Sequence, residues 1–225
     1  MGWRHNQPYL CHSDAPQSKM KRLPVFEQFI YEFDAPKEVL STALEIALRV
    51  PYRVNKSNYT TDDPNTRNEP GMSLVREWID ECLEKVRKDL EFECEEIRST
   101  IEWFNMSQPG MWHQPHTHDN SFLSGIFYLT PSDAETWFSI ESVFSPDYTL
   151  LNLVHPKNRL VFHKNPTTVG KMLVFSSQIV HSVTNHNGAD PRYSLAFNAF
   201  PSGFIGTRTS EVYRKFMNIS VQQSD

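Results

Sequence analysis

The 225-residue sequence contains nine histidines, and three of them, His113, His116 and His118, lie in the segment GMWHQPHTHDNSFLSGIFYL. Neutral imidazole is a good ligand for divalent transition metals. Residues i and i+2 of a strand share a face, so a strand through His116 and His118 would aim both rings at one ion. Asp119, next in sequence, replaces His118 as the second ligand if the strand ends in a bulge after His118; strand parity favours His118. Another histidine stands in VGKMLVFSSQIVHSVTNHNGADPRYSLAFNAF, where Gly170 opens an apolar strand and His181 begins the next. Eleven residues further on, Arg192 precedes Ser194 in an alternating strand. An arginine among apolar neighbours requires an anion, because a buried guanidinium without one is costly.

These residues need a rigid frame, and the patterning supplies one. From Ser99 onward, segments of strand composition follow one another at turn signals: STIEWFNMS, FLSGIFYLT, TWFSIES, NRLVFHK, GKMLVFSS, VHSVTNH and RYSLAFNAF. With no helices between them, they predict a mainly β jelly roll, a double-stranded β-helix. Upstream, VFEQFIYEF at residues 25–33 reads as a strand. Asp34 reads as the N-cap of a helix near residues 35–50, with Pro36 in its first turn. A second helix near residues 73–92 turns Leu74, Trp78, Leu83, Val86 and Leu90 inward and presents Glu77, Asp80, Glu84 and Lys88 to solvent. Residues 1–24 are polar and interrupted by proline, the pattern of an N-terminal arm; residues 25–225 form a single domain that includes both helices.

Composition narrows the function classes. Apolar residues make up 39% and aromatics 12%, enough for a sizeable core and too many for a disordered chain. A formal net charge of −5 provides no broad basic face, which argues against nucleic acid and anionic membrane as partners. No apolar run is long enough to span a bilayer and no secretory-type leader is recognisable, so a cytoplasmic location is expected. Cys11, Cys82 and Cys94 form no CxxC pair and are expected to be reduced. No motif encodes an oligomeric state.

Taken together, His116-Thr117-His118, the strand LSGIFYL, Gly170, His181 and Arg192-Tyr193-Ser194 resemble the signature of the non-haem iron(II), 2-oxoglutarate-dependent oxygenases, in particular the prolyl-hydroxylase-like branch and its small microbial and phage members. The resemblance covers roughly residues 99–200. It implies iron(II) held by His116, His118 and His181, and 2-oxoglutarate as co-substrate with dioxygen. It also implies Arg192 on the distal carboxylate of 2-oxoglutarate, assisted by the Ser194 and Tyr128 hydroxyls. The implied reaction decarboxylates 2-oxoglutarate to succinate and CO2 while oxidising a C–H bond of a small-molecule or peptide substrate, most simply by hydroxylation. One departure stands out: the family's usual pair is His-x-Asp, and a second neutral histidine leaves the ion more positive.

Trp112, His113, Trp137, His155 and His163 are candidates for the mouth through which substrate enters, and Asn105 and Asn198 for contacts with the co-substrate. Two other readings compete. A three-histidine cupin thiol dioxygenase would share the barrel, but the glutamate expected a few residues past His118 is missing, with Asn120, Ser121 and Phe122 there instead, and it has no use for Arg192. A metal-free jelly-roll binding module would leave the histidines incidental.

Overall fold

The computed structural model describes residues 28–63, 66–139, 162–206 and 214–216. The expected arm over residues 1–24, the start of the first expected strand and His155 lie outside them.

The chain opens with strand β1 (Ile30–Asp34) and helix α1 (Lys37–Arg49), followed by the short strands β2 (Tyr52–Val54) and β3 (Tyr59–Thr61). A single 3-10 turn (Thr66–Asn68) leads into helix α2 (Met72–Asp89). Nine more strands follow: β4 (Cys94–Ser107), β5 (His113–His116), β6 (Leu123–Tyr128), β7 (Glu135–Ser139), β8 (Phe162–Pro166), β9 (Lys171–Ser176), β10 (Val180–Val183), β11 (Arg192–Ile205) and β12 (Arg214–Phe216). All pairings are antiparallel. The larger sheet has the order β1-β9-β6-β11-β4-β3-β2, with β12 added to β11, and the smaller has the order β5-β10-β7-β8. These two interleaved sheets are a double-stranded β-helix of jelly-roll type. The order β9-β6-β11-β4 brings segments far apart in sequence side by side, so the barrel forms only from long-range pairings.

The central strands of the large sheet are apolar on both faces because both faces are covered. One face packs on the helices: Phe127, Met172, Val174, Leu195 and Phe197 join Ala43, Ile46, Val75, Ile79 and Leu83 in one buried cluster. The other face looks across to the small sheet, where Ile126, Tyr128, Leu173 and Phe175 meet Phe138 and Ile179 in a smaller cluster. Gly125 leaves room for the ring of its cross-strand partner Phe197, and a Cβ there would lie 2.1 Å from Cζ of Phe197. The space between the sheets that this second core leaves unfilled holds the histidines.

Three local expectations differ from the structure. Asp34 does not cap α1. It remains in β1, paired in register with Lys171 and 3.0 Å from its ammonium, and the helix starts after Pro36, which has no N–H to satisfy and a φ of −55° suited to entry. In α2 the buried stripe is Met72, Val75, Ile79, Cys82, Leu83 and Val86, with Leu74, Trp78 and Leu90 at its margins. Asp80 is not solvated either: its Oδ1 accepts the Ser99 backbone N–H at 2.9 Å and its Oδ2 lies 3.3 Å from Arg98, which ties the helix to β4. No described helix is long and apolar enough to cross a membrane.

Candidate metal centre and co-substrate cavity

His116 and His181 meet because their strands do. They are direct cross-strand partners on β5 and β10, with ring centroids 4.3 Å apart. His118 arrives differently. β5 ends at His116, so strand parity is not what aims His118. Its backbone N–H donates to the Ser177 carbonyl at 3.0 Å, its ring stacks on Trp103 at 5.7 Å, and its Nδ1 lies 2.6 Å from Oδ1 of Asn198. The outcome is a cluster in which the three imidazoles offer ligand atoms within 4.8 Å of one another. Asp119 is exposed and outside this cluster.

The hydrogen bonds decide which nitrogens are available. Nδ1 of His116 is 2.9 Å from the Gln114 carbonyl, and Nδ1 of His181 is 3.1 Å from the Ile179 carbonyl. A carbonyl oxygen only accepts, so each Nδ1 carries the proton, and the amide oxygen of Asn198 does the same for His118. All three Nε2 atoms are thereby left with an unshared pair. Nε2 of His118 and Nε2 of His181 face each other at 3.3 Å. Two unshared pairs at this separation repel unless a cation lies between them. Two nitrogens bound at right angles to one ion, with bonds of about 2.1 Å, would stand about 3.0 Å apart.

Burial keeps these rings neutral. Desolvation, aided by the neighbouring His116, holds His118 down at about 4, and the same causes push His181 well below the ordinary imidazole value. Desolvation also lowers His116, against the Gln114 bond that raises it. His113 stacks on His116 at 4.5 Å and is likewise held at about 4 by desolvation, with His116 and Arg192 adding to the shift. At neutral pH every imidazole of the cluster is in its ligating form.

Arg192 opens into the same cavity. That cavity is lined by His113, His116, His118 and His181, by Trp103, Asn105 and Ser107 of β4, by Asn58 after β2, by Ile126 and Val183, and by Arg192, Ser194 and Ala196 of β11. The alternation of β11 points Arg192, Ser194 and Ala196 inward while Leu195 and Phe197 face the helices. Arg192 is only 3% exposed, its Nε and Nη2 have no hydrogen-bond partner, and no ion pair among the described residues includes it. Desolvation lowers its pKa, and its one favourable close contact is the Tyr128 ring, 5.6 Å from the guanidinium carbon. A buried, partnerless guanidinium is a binding site for an anion. These residues fit a divalent cation and a carboxylate ligand in one cavity.

The other candidates separate. Tyr128 is fully buried, with its hydroxyl 2.7 Å from that of Thr136 and its ring against Arg192. His113 and Asn105 line the cavity, and Oδ1 of Asn105 is buried without a partner. Asn198 does not line it; its amide oxygen is engaged by His118 and Ser124. Trp137 points away, with its Nε1 donating to Glu135 and Lys164 over its ring at 4.1 Å. His163 is exposed on β8 and Trp112 is 44% exposed; neither lines the cavity. Sequence reasoning missed Trp103 and Ser107. The spacing Trp103-x-Asn105-x-Ser107, three residues of one strand parity, is the signal that could have found them.

A double-stranded β-helix that holds a cluster of imidazoles and a buried guanidinium between its sheets can bind a metal ion beside a carboxylate. Residues 102–198 match the family model described as putative 2OG-Fe(II) oxygenase, a match that covers a little under half of the 225 residues. The fold is similar to that of a prolyl-4-hydroxylase from Pseudomonas putida, at 16% identity and a TM-score of 0.52, over 77% of this chain and 93% of the other. It is also similar to a 2OG-Fe(II) oxygenase-family oxidoreductase from Burkholderia pseudomallei, at 14% identity and 0.53, over 76% and 83%. The epimerase SnoN of nogalamycin biosynthesis aligns at 12% identity and 0.58, over 78% and 79%. Among curated protein sequences none matches this chain.

Proposed function

We propose that His116, His118 and His181 hold iron(II) through their Nε2 atoms, that Arg192 and Ser194 bind the distal carboxylate of 2-oxoglutarate, and that the outcome is hydroxylation of a C–H bond. The observation that carries this reading is the coexistence, in one cavity, of three imidazoles whose Nδ1 protons are already spent and a buried arginine whose Nε and Nη2 have no partner.

Bound iron(II) supplies the redox chemistry, coupling decarboxylation of 2-oxoglutarate by dioxygen to oxidation of the substrate. The protein's own part is positional. Arg192 offers the planar donors that match a carboxylate, and Ser194, two residues along the same face, offers a hydroxyl beside them. The neutral imidazoles ligate without first losing a proton, which keeps the site ready at neutral pH. Trp103, Ile126 and Val183 supply apolar wall and limit water around the reacting atoms. Three neutral ligands leave the ion's full charge to be balanced by the co-substrate, so 2-oxoglutarate and metal should bind with strong mutual dependence. The substrate is a small molecule or a peptide and the location cytoplasmic; the net charge of −5 supports such a substrate over nucleic acid. We also take residues 25–225 as one domain preceded by an arm.

The test is anaerobic addition of iron(II) and 2-oxoglutarate, monitored for the weak visible charge-transfer absorption of the chelate. Its appearance only when both are present is expected; a protein that binds iron(II) with no response to 2-oxoglutarate would overturn the assignment.

A further inference from the structure

Two of the three imidazoles are aimed by the strand ladder, whereas His118 stands beyond the end of β5 and needs other support. That support converges from three directions. The Ser177 carbonyl holds its backbone, Trp103 holds its ring face, and Oδ1 of Asn198 takes its Nδ1 proton at 2.6 Å. Only the last of these selects a tautomer. Without an acceptor at Nδ1 the proton can sit on either nitrogen, and on Nε2 it would point at His181, 3.3 Å away, and block ligation.

Asn198 is itself anchored. Ser124 donates to its Oδ1 at 3.0 Å, and Ser124 Oγ lies 2.8 Å from Ser177 Oγ, which donates to Ser121 at 2.9 Å. Ser124 and Ser177 are fully buried, so this hydroxyl chain is shielded from competing water. It spans β6, β11 and the turns after β9 and before β6, and the residue whose carbonyl fixes the His118 backbone also belongs to it.

We propose that Asn198 is a positioning residue for the metal centre: by accepting the Nδ1 proton of His118 it makes a neutral histidine outside the strand serve where relatives of this signature use a carboxylate. This rests on the metal-site reading given above. The role differs from the co-substrate contact that the sequence suggested for Asn198, since the amide oxygen is committed to His118 and Ser124 and the residue does not line the cavity. It also separates Asn198 from Asn105, which does line the cavity.

The experiment measures cobalt(II) binding to the intact protein by calorimetry and by the visible d–d spectrum, at a pH above the imidazole range. Asn198→Ala should bind about 10- to 100-fold more weakly than wild type. Asn198→Asp keeps an acceptor for the Nδ1 proton and makes the ring more electron-rich, so it should bind as tightly as wild type or more tightly, with the spectral envelope retained. Asn198→Leu, which keeps the volume but offers no acceptor, should bind as weakly as Asn198→Ala; wild-type affinity in the Leu variant would make the role one of packing and overturn the proposal. Unaltered affinity in Asn198→Ala overturns the proposal. If Asn198→Ala fails to fold, the Asp variant decides alone, and affinity reduced tenfold or more in the folded Asp variant also overturns it. His181→Ala is the control for the underlying reading: if it binds cobalt(II) like wild type, the histidine site itself is wrong, whatever Asn198 does.

Discussion

Replacing Arg192 with methionine should move stability and co-substrate binding in opposite directions. The guanidinium is 3% exposed, two of its three nitrogens have no partner, and no acid pairs with it among the described residues. In the protein without co-substrate it is therefore a desolvated cation held in place by the surrounding fold. Exchanging buried charge for an apolar side chain of similar length is neutral or stabilising by about 1–4 kcal/mol. Loss of the contact with the Tyr128 ring, 5.6 Å away, gives back about 0.5–2 kcal/mol. The net expectation centres on about 1 kcal/mol in favour of the variant, within a span of about −1 to 3.5 kcal/mol, each kcal/mol raising Tm by roughly 2–4 °C for a chain of this size. Binding should respond the other way. Removing one partner of a buried charge pair costs about 2–5 kcal/mol, which is a 2-oxoglutarate affinity lower by about 30- to 5,000-fold. Thermal unfolding of the metal-free protein and calorimetric titration of 2-oxoglutarate into the nickel(II)-loaded protein measure the two halves. A variant clearly less stable than wild type, with its co-substrate affinity intact, would mean that Arg192 is a structural cation, and the anion-site argument would be refuted.

Three more expectations follow from the same geometry. His181→Ala and His118→Ala should each abolish stoichiometric metal binding, whereas Asp119→Ala should leave it unchanged; loss of metal on removing Asp119 instead would reverse the choice of second ligand. The metal-free protein should lose stability as pH falls from about 6.5 towards 4, because His113 and His118 titrate near 4 when folded and near 6.5 when unfolded. Over that window the unfolded chain binds more protons, so each of the two contributes a slope of up to about 1.4 kcal/mol per pH unit; denaturant melts that superimpose at pH 7 and pH 5 would contradict the buried neutral rings. Gly125→Ala should destabilise the fold by about 1–3 kcal/mol or more, since the new Cβ would meet the Phe197 ring at 2.1 Å and the Leu173 carbonyl at 2.9 Å; a Tm within a degree of wild type would show that the Phe197 ring moves aside freely.

Strand composition, turn spacing and the absence of helices after Ser99 were enough to infer the jelly roll, because burial on both faces leaves a continuous apolar run visible in LSGIFYL and KMLVFS. Arg192-x-Ser194 was legible for a related reason, since side chains entering one cavity from a strand keep its parity, whereas the His116-x-His118 spacing pointed to two rings that come together although His118 lies beyond the end of β5. β2 and β3 were not legible, since three-residue strands among turn formers carry too little pattern.

What the linear chain determined, then, is the inventory: which residues can ligate, which cation wants an anion, and which segments extend. What only tertiary structure decided is who meets whom. His116 faces His181 because β5 and β10 are neighbours in the small sheet across 65 residues of sequence. His118 is set by Ser177 and by Asn198, 80 residues away, and not by its strand. Trp137 faces outward although its composition suits a pocket. Local pattern reports only the periodicity of burial along one strand; ring orientation, tautomer and the partnerless state of Arg192 arise from contacts between strands distant in sequence.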